Sequence, residues 1–481
     1  MSTGNRAIKH FLIISGGTLL NLIIGICTTP IITRLVEPNE YGQLSIFKMY
    51  AGFGVMILCC GLDQALVRFY YKSDDPGYKK NLLNRCLMVP LFIWCIGICI
   101  FIALYVSKTI SFEFNLKISL ILGLCIAFEL IDRIGVLVVR LEYHSKRYTI
   151  VNILQRLSYT VSAIILINLY NKDHFFILAS STTFSYFISS LCSIIMEKKV
   201  WCVKSTIKPS LCIKTRQLIK FGAPFILSMG MTTLFQGIDK IALNIYCTYS
   251  EVGIYSSTIS LMQVFSILQS SFNALWAPMA TEHYEKDKSN KAFYQKGNAY
   301  ITFLMFGFGL TLILCKDIFA ILLGSKYRQA AYILPCLIFN PIMYTISETT
   351  VSGINFTERS YLHIYVAIGA CITNVIGNSL LVPSLGGKGA AISTGLAYIV
   401  FFALRTMLSN KYYPVDFKLK KFYMLTTVVF MYALYNMFVP FCLGTVLGFV
   451  ICMILLLTLY RVEALECFGI IVRKIQGINK K

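Results

Sequence analysis

The side chains of this sequence that could do chemistry are ionisable groups set inside long apolar stretches: Lys48, Asp63, Glu129, Asp132, Arg133, Arg156, Asp239, Lys240 and Glu348. A charge at the centre of a bilayer costs about 2.5–3.5 kcal/mol on insertion scales, so such groups face a bundle interior or a wet cavity. Arg133 and Arg156 suit a phosphate, because the planar guanidinium donates two parallel hydrogen bonds. Lys48 and Lys240 add cationic points for the same anion or, near a membrane surface, snorkel outward. The acids Asp63, Glu129, Asp132, Asp239 and Glu348 either bind a coupling ion or neutralise the bases. Glu129 and Arg133, at i and i+4, share a helical face and are spaced to pair. Glu348 has no obvious partner, which makes it a candidate proton-binding carboxylate. Arg68, close to Asp63, is placed to snorkel to anionic lipid. The five His are scattered, the 17 Cys lie mostly inside apolar stretches without zinc-ligand spacing, and no Gly-rich phosphate loop occurs. No catalytic residue, metal, cofactor or ATP is implied.

Elements long enough to cross a membrane must position these groups. Of 481 residues 57% are apolar and 14% charged, against roughly 45–50% and about 25% in soluble domains. That excludes an ordinary water-soluble enzyme. The net charge of +22 would suggest nucleic acid in a soluble chain; here it reads as basic cytoplasmic loops, with no nucleic-acid partner. Cutting at polar clusters and Gly/Pro/Asn punctuation gives an all-α polytopic membrane protein of about 14 spans, at 10–33, 43–66, 83–106, 117–139, 149–169, 175–196, 218–245, 252–279, 298–323, 330–352, 361–383, 388–408, 422–439 and 442–460. With both termini cytoplasmic, about 32 Lys and Arg fall inside and 8 outside. The inside group includes Arg405, and the outside group Arg34, Lys108, Lys172, Lys316 and Lys388. Every outside loop is short, which disfavours an enzyme with an external catalytic domain.

The basic loop around 197–217 divides the chain. Glu40, Gly42 and Ser45 match Glu251, Gly253 and Ser256 at an offset of 211, each set opening the second helix of its half. Lys146, Arg147 and Tyr148 align with Arg359, Ser360 and Tyr361 at an offset of 213. The halves are thus parallel pseudo-repeats, an arrangement found in alternating-access transporters. The organisation is a six-helix lobe over 1–196, a linker over 197–217, a second six-helix lobe over 218–408, and two further helices with a basic tail over 409–481. Pro224 and Pro341 predict kinks, and Asn374 and Asn378 predict interhelical hydrogen bonds.

Pro30-Ile31-Ile32-Thr33-Arg34-Leu35, Glu40-Tyr41-Gly42, Gly61-Leu62-Asp63-Gln64-Ala65 and Val67-Arg68-Phe69-Tyr70-Tyr71 resemble the N-terminal signature of Wzx-type oligosaccharide flippases. These belong to the multidrug/oligosaccharidyl-lipid/polysaccharide exporter superfamily. Gly222-Ala223-Pro224, Asp239-Lys240, Val252-Gly253-Ile254-Tyr255-Ser256, Trp276-Ala277-Pro278 and the Asn374, Asn378, Leu381, Pro383, Gly389-Ala390-Ala391 pattern extend the resemblance over nearly the whole chain. The resemblance implies an O-antigen or polysaccharide flippase of the bacterial inner membrane. It would move undecaprenyl-diphosphate-linked oligosaccharide to the periplasmic leaflet through a central cationic cavity, driven by H+ or Na+. A polysaccharide polymerase and a chain-length regulator are the partners it implies. The many acids depart from that pattern and keep a multidrug antiporter as the alternative, with a membrane polymerase behind it.

Overall fold

The computed structural model describes residues 3–107, 113–170, 173–202, 213–466 and 469, and no strand occurs among them. Lys108, Lys172, most of the basic linker (203–212) and the basic tail from 470 lie outside the described residues. The chain forms two compact units, Met1–Gly237 and Ile238–Lys481.

Unit 1 contains α1 (Thr3–Leu35), α2 (Pro38–Cys59), α3 (Leu62–Phe69), α4 (Pro76–Val106), α5 (Leu116–Leu141), α6 (Ser145–Leu169), α7 (His174–Met196), α8 (Lys198–Trp201) and most of α9 (Thr215–Tyr246). Local chemistry fixes the helix starts. Asp75 accepts from the Gly77 and Tyr78 amides with Pro76 at the first helical position, and Asn115 accepts from the Ile118 amide at 3.0 Å. The span expected over 43–66 is broken. Cys60 (φ 49°) and Gly61 (φ 68°) are left-handed, and a Cβ at Gly61 would lie 2.1 Å from the Gly222 carbonyl oxygen. Only glycine gives both the dihedral and the close approach of α9. The break makes Asp63 the second residue of α3 and aims it into unit 1. Around it Leu62, Leu66, Tyr70, Leu83, Cys86 and Val138 form a buried cluster.

Unit 2 contains α10 (Tyr249–Leu261), α11 (Gln263–Lys286), α12 (Ala292–Leu314), α13 (Lys316–Leu322), α14 (Ala330–Leu337), α15 (Phe339–Thr350), α16 (Ser352–Phe356), α17 (Leu362–Leu385), α18 (Gly387–Tyr412), α19 (Leu419–Phe438) and α20 (Leu443–Leu459). Between α14 and α15 only Ile338 interrupts the helix, with helical dihedrals (φ −61°, ψ −24°), and Ala330–Thr350 passes through Pro341 as one span. At Pro224 the helix is continuous, α9 running from Thr215 to Tyr246. Among the described residues eight helices are individually long and apolar enough to cross a membrane, or nine counting a pair bent by 42° within 249–286. Of the other expected spans, α20 has 17 residues and α5 carries Glu129, Asp132 and Arg133. Large apolar side chains such as Phe92, Ile96 and Ile100 on α4 are exposed along its length, which suits lipid and not water. The chain is a multi-pass membrane protein.

The repeat reappears as a shared contact. Glu40 is the third residue of α2 and its Oε2 lies 3.0 Å from Nδ1 of His174, the first residue of α7. Glu251 is the third residue of α10 and accepts at 3.0 Å from the amide of Gly387, the first residue of α18. One carboxylate in each unit ties the second expected span to the sixth.

Lys316, expected in an outside loop, is instead fully buried. Its Nζ donates to the Asn436 and Val439 carbonyls at 2.6 and 2.8 Å and lies 4.7 Å from the Tyr332 ring centre. It satisfies carbonyls left over at the end of α19. Lys316→Met keeps the bulk and orphans both acceptors, and is expected to destabilise the protein by about 1–3 kcal/mol. Thermal unfolding of purified protein in detergent checks this; an unchanged midpoint would show that the ammonium holds nothing.

On the cytoplasmic side of unit 1 by the expected topology, Glu142 accepts from Lys79 and Tyr70, each at 2.7 Å. Burial pushes its carboxyl up, but these hydrogen bonds and the Lys79 charge hold it below the ordinary carboxylate range.

Candidate substrate and ion sites

In unit 1 the expected Glu129–Arg133 pair is not made. Arg133 reaches from α5 to α3, its Nε and Nη2 donating to Asp63 Oδ2 at 3.1 and 2.7 Å. The reason is burial: Asp63 is 5% exposed in its side chain and Arg133 38%, so the carboxylate, which cannot reach water, takes the cation. Arg68, the nearer base in sequence, is exposed and so is Arg34. Glu129 is left among Asp132, Lys48 and Tyr186. Asp132 is buried, with Oδ1 unpartnered.

Arg156 stands apart. Its Nη1 donates to the Asn21 carbonyl at 2.7 Å, and the guanidinium lies against Gly25, where a Cβ would come within 2.3 Å of Cζ. Among the described residues it makes no ion pair with a carboxylate. Tyr159, one turn along α6, carries Lys48 Nζ 4.4 Å from its ring centre. The guanidinium on α6 and the ammonium of α2 are thus brought to neighbouring turns of α6, the first against α1 and the second over Tyr159. Such a cluster suits an anion that brings its own charge.

In unit 2 Asp239 of α9 is 6% exposed and ringed by neutral donors. Tyr255 and Thr394 hydroxyls reach its Oδ2 at 2.6 Å each, and the Asn378 and Asn374 amides reach Oδ1 at 2.8 and 3.1 Å. Ser393 donates to Asn374 Oδ1 at 2.8 Å, while Asn378 Oδ1 is buried without a partner. Four elements, α9, α10, α17 and α18, meet there. Lys240 is half-buried and makes no hydrogen bond to Asp239. The buried carboxylate carries the charge of this cluster, and the unpartnered Asn378 Oδ1 and the hydroxyl oxygens of Tyr255 and Thr394 are the neighbouring oxygens that a cation would use. No cluster of three His, Cys, Asp or Glu of metal-binding geometry occurs among the described residues.

Glu348 has a partner after all: Arg405 Nη1 donates to its Oε1 at 2.9 Å and to Ser347 Oγ at 2.6 Å. Arg405, counted among the inner loop bases, is 6% exposed inside α18. The available signal was its place inside the apolar run 388–408, four residues after Phe401.

A family described as polysaccharide biosynthesis protein matches residues 7–284, and the segments from Pro30 to Tyr71 fall within that match. An uncharacterised membrane protein of Methanocaldococcus jannaschii is 22% identical over 466 residues, covering 89% of each chain. A probable low-salt glycan biosynthesis flippase, Agl15, of Haloferax volcanii is 18% identical over 392 residues, covering 80% of this chain and 79% of its own. Among solved structures, the lipid II flippase MurJ in an inward closed conformation shares the fold. Its TM-score is 0.68 at 13% identity, covering 96% of this chain and 100% of that one.

Proposed function

Because the chain belongs to the polysaccharide biosynthesis protein family, we propose that it is a transporter that moves a lipid-linked oligosaccharide, carried on undecaprenyl diphosphate, from the cytoplasmic to the periplasmic leaflet. It works by alternating access in the bacterial inner membrane and serves the building of O-antigen or another surface polysaccharide. A polymerase and a chain-length regulator act after it. The observation that carries this reading is Arg156: a half-buried guanidinium inside an apolar helix that makes no ion pair with any described carboxylate. A diphosphate headgroup cannot cross hydrocarbon unaided, and a desolvated guanidinium is the group that would hold it. Arg133 and Lys240 are further substrate contacts in this proposal, Arg133 through the exposed part of its guanidinium. Asp239 is the proposed seat of the coupling ion, supported by its buried charge and by the unpartnered Asn378 oxygen beside it. The acids kept a cation-exporting antiporter in view. The pairing of Asp63 with Arg133 and Glu348 with Arg405 weighs against it, since those carboxylates are already neutralised.

In a strain lacking the gene, periplasmic glycosidase should fail to reach the polyprenyl-diphosphate oligosaccharide, which stays on the cytoplasmic face. Returning the Arg156→Ala gene should restore transport at least about tenfold less well than wild type, the loss of one or two charged hydrogen bonds. Arg156→Lys should recover part. Repeat units that reach the outside normally in the deletion strain would remove the flippase reading; full activity of well-expressed Arg156→Ala would remove the site.

A further inference from the structure

The α15 and α18 pair in unit 2 has no task in the scheme above. Tyr344 and Glu348 stand at i and i+4 on α15, and Phe401 and Arg405 at i and i+4 on α18, so the helices meet in two rungs one turn apart. In the first rung the half-buried Tyr344 and Phe401 rings stack, with centroids 5.9 Å apart and planes 16° from parallel. Tyr398 flanks Phe401 at 6.0 Å. The second rung is the Glu348–Arg405 ion pair, whose guanidinium lies 5.5 Å from the Phe401 centroid and 5.8 Å from that of Tyr344.

Two details mark this as more than a staple. The Glu348 side chain is 21% exposed, and a carboxylate open to hydrocarbon would be costly, so its open side meets water. Arg405, 6% exposed, keeps a buried Nε with no acceptor, although buried donors are as a rule paired. The rungs thus combine half-exposed aromatic surface with an accessible acceptor that Arg405 holds in place, with no net charge. A phosphate is poorly matched to them. A sugar ring is well matched, because its C–H face lies on an aromatic ring while its hydroxyls both give and accept hydrogen bonds.

We propose that the α15–α18 rungs are a pyranose-binding subsite, with Phe401 and Tyr344 as the platform, Glu348 as the hydroxyl partner and Arg405 as the residue that positions Glu348. The proposal rests on the reading of the chain as a carrier of lipid-linked glycan and adds which residues contact the sugar. The test uses the full chain in lipid nanodiscs. Its probes are undecaprenyl diphosphate bare, bearing one N-acetylglucosamine, and bearing one galactose. Wild type is expected to bind at least one sugar-bearing lipid about tenfold tighter than the bare one, on the scale of an aromatic stacking contact with a hydrogen bond. In Phe401→Ala, and in Phe401→Leu, which keeps apolar bulk and so preserves folding, that ratio should fall to about one. Arg156→Ala should weaken all three lipids and keep the ratio. A wild type without a sugar preference, or Phe401 variants that retain it, would overturn the subsite. A wild type that binds none of the three lipids would remove the parent function and the subsite with it.

Discussion

Arg133→Ala will destabilise the protein by about 3–5 kcal/mol, whereas Asp63→Ala will cost roughly half as much or less. The asymmetry follows from exposure. Without Arg133 the carboxylate of Asp63, 5% exposed, is left buried with its charge uncompensated; without Asp63 the Arg133 side chain, 38% exposed, still reaches solvent. Removing both partners should be less damaging than removing Arg133 alone, because no buried charge then remains. Denaturant or thermal unfolding of the four proteins of the cycle, purified in one detergent, gives the ranking. Equal losses from the two single substitutions, or a worse loss from Asp63→Ala, would mean that burial does not set the energetics of this pair.

Asp239 separates structure from transport. Asp239→Ala strips the acceptor from Tyr255, Thr394, Asn374 and Asn378 at once, leaving donors that cost about 1–3 kcal/mol each when unsatisfied. Their losses are not additive, but this should rank among the most damaging substitutions in unit 2. Asp239→Asn keeps the shape and one acceptor oxygen while removing the charge. It is expected to stay folded and to lose on the order of a hundredfold in ion-driven transport, the effect of about 2.7 kcal/mol of lost ion stabilisation. Uptake of labelled polyprenyl-diphosphate sugar into proteoliposomes, with and without an imposed proton or sodium gradient, reads this directly. If Asp239→Asn transports at the wild-type rate and responds to the gradient, Asp239 is structural glue and the coupling ion sits elsewhere.

Hydropathy displayed the helices because spacing and punctuation are local properties, and the Glu40 and Glu251 match was readable because both residues sit at the same helix start. The partners of the buried charges were not readable. Glu129 and Arg133 satisfied the i, i+4 rule, yet Arg133 pairs with Asp63, 70 residues away, and the orientation of Asp63 depends on two left-handed residues and on Gly222 approaching Gly61. Glycine at 61 was visible; that the main chain of α9 needed its missing side chain was not. Arg405 and Lys316 were assigned to loops because basic residues near a span end mark topology. Their true positions are set by a carboxylate on α15 and by the carbonyls ending α19. In each case the deciding contact is tertiary.

The twin glutamates at the starts of α2 and α10 are held by partners of different kinds. In unit 1 the contact needs two side chains, Glu40 and His174, so a single nucleotide change at either codon can abolish it. In unit 2 the acceptor is again a side chain, but the donor is the main-chain amide of Gly387, which among the genetically encoded residues only proline lacks. The two contacts therefore fail in different ways: loss of the His174 ring opens the first, whereas at Gly387 the amide survives every replacement but proline and an added side chain would instead press on Glu251 Oε2 at 3.0 Å and Ile333 Cδ1 at 2.8 Å.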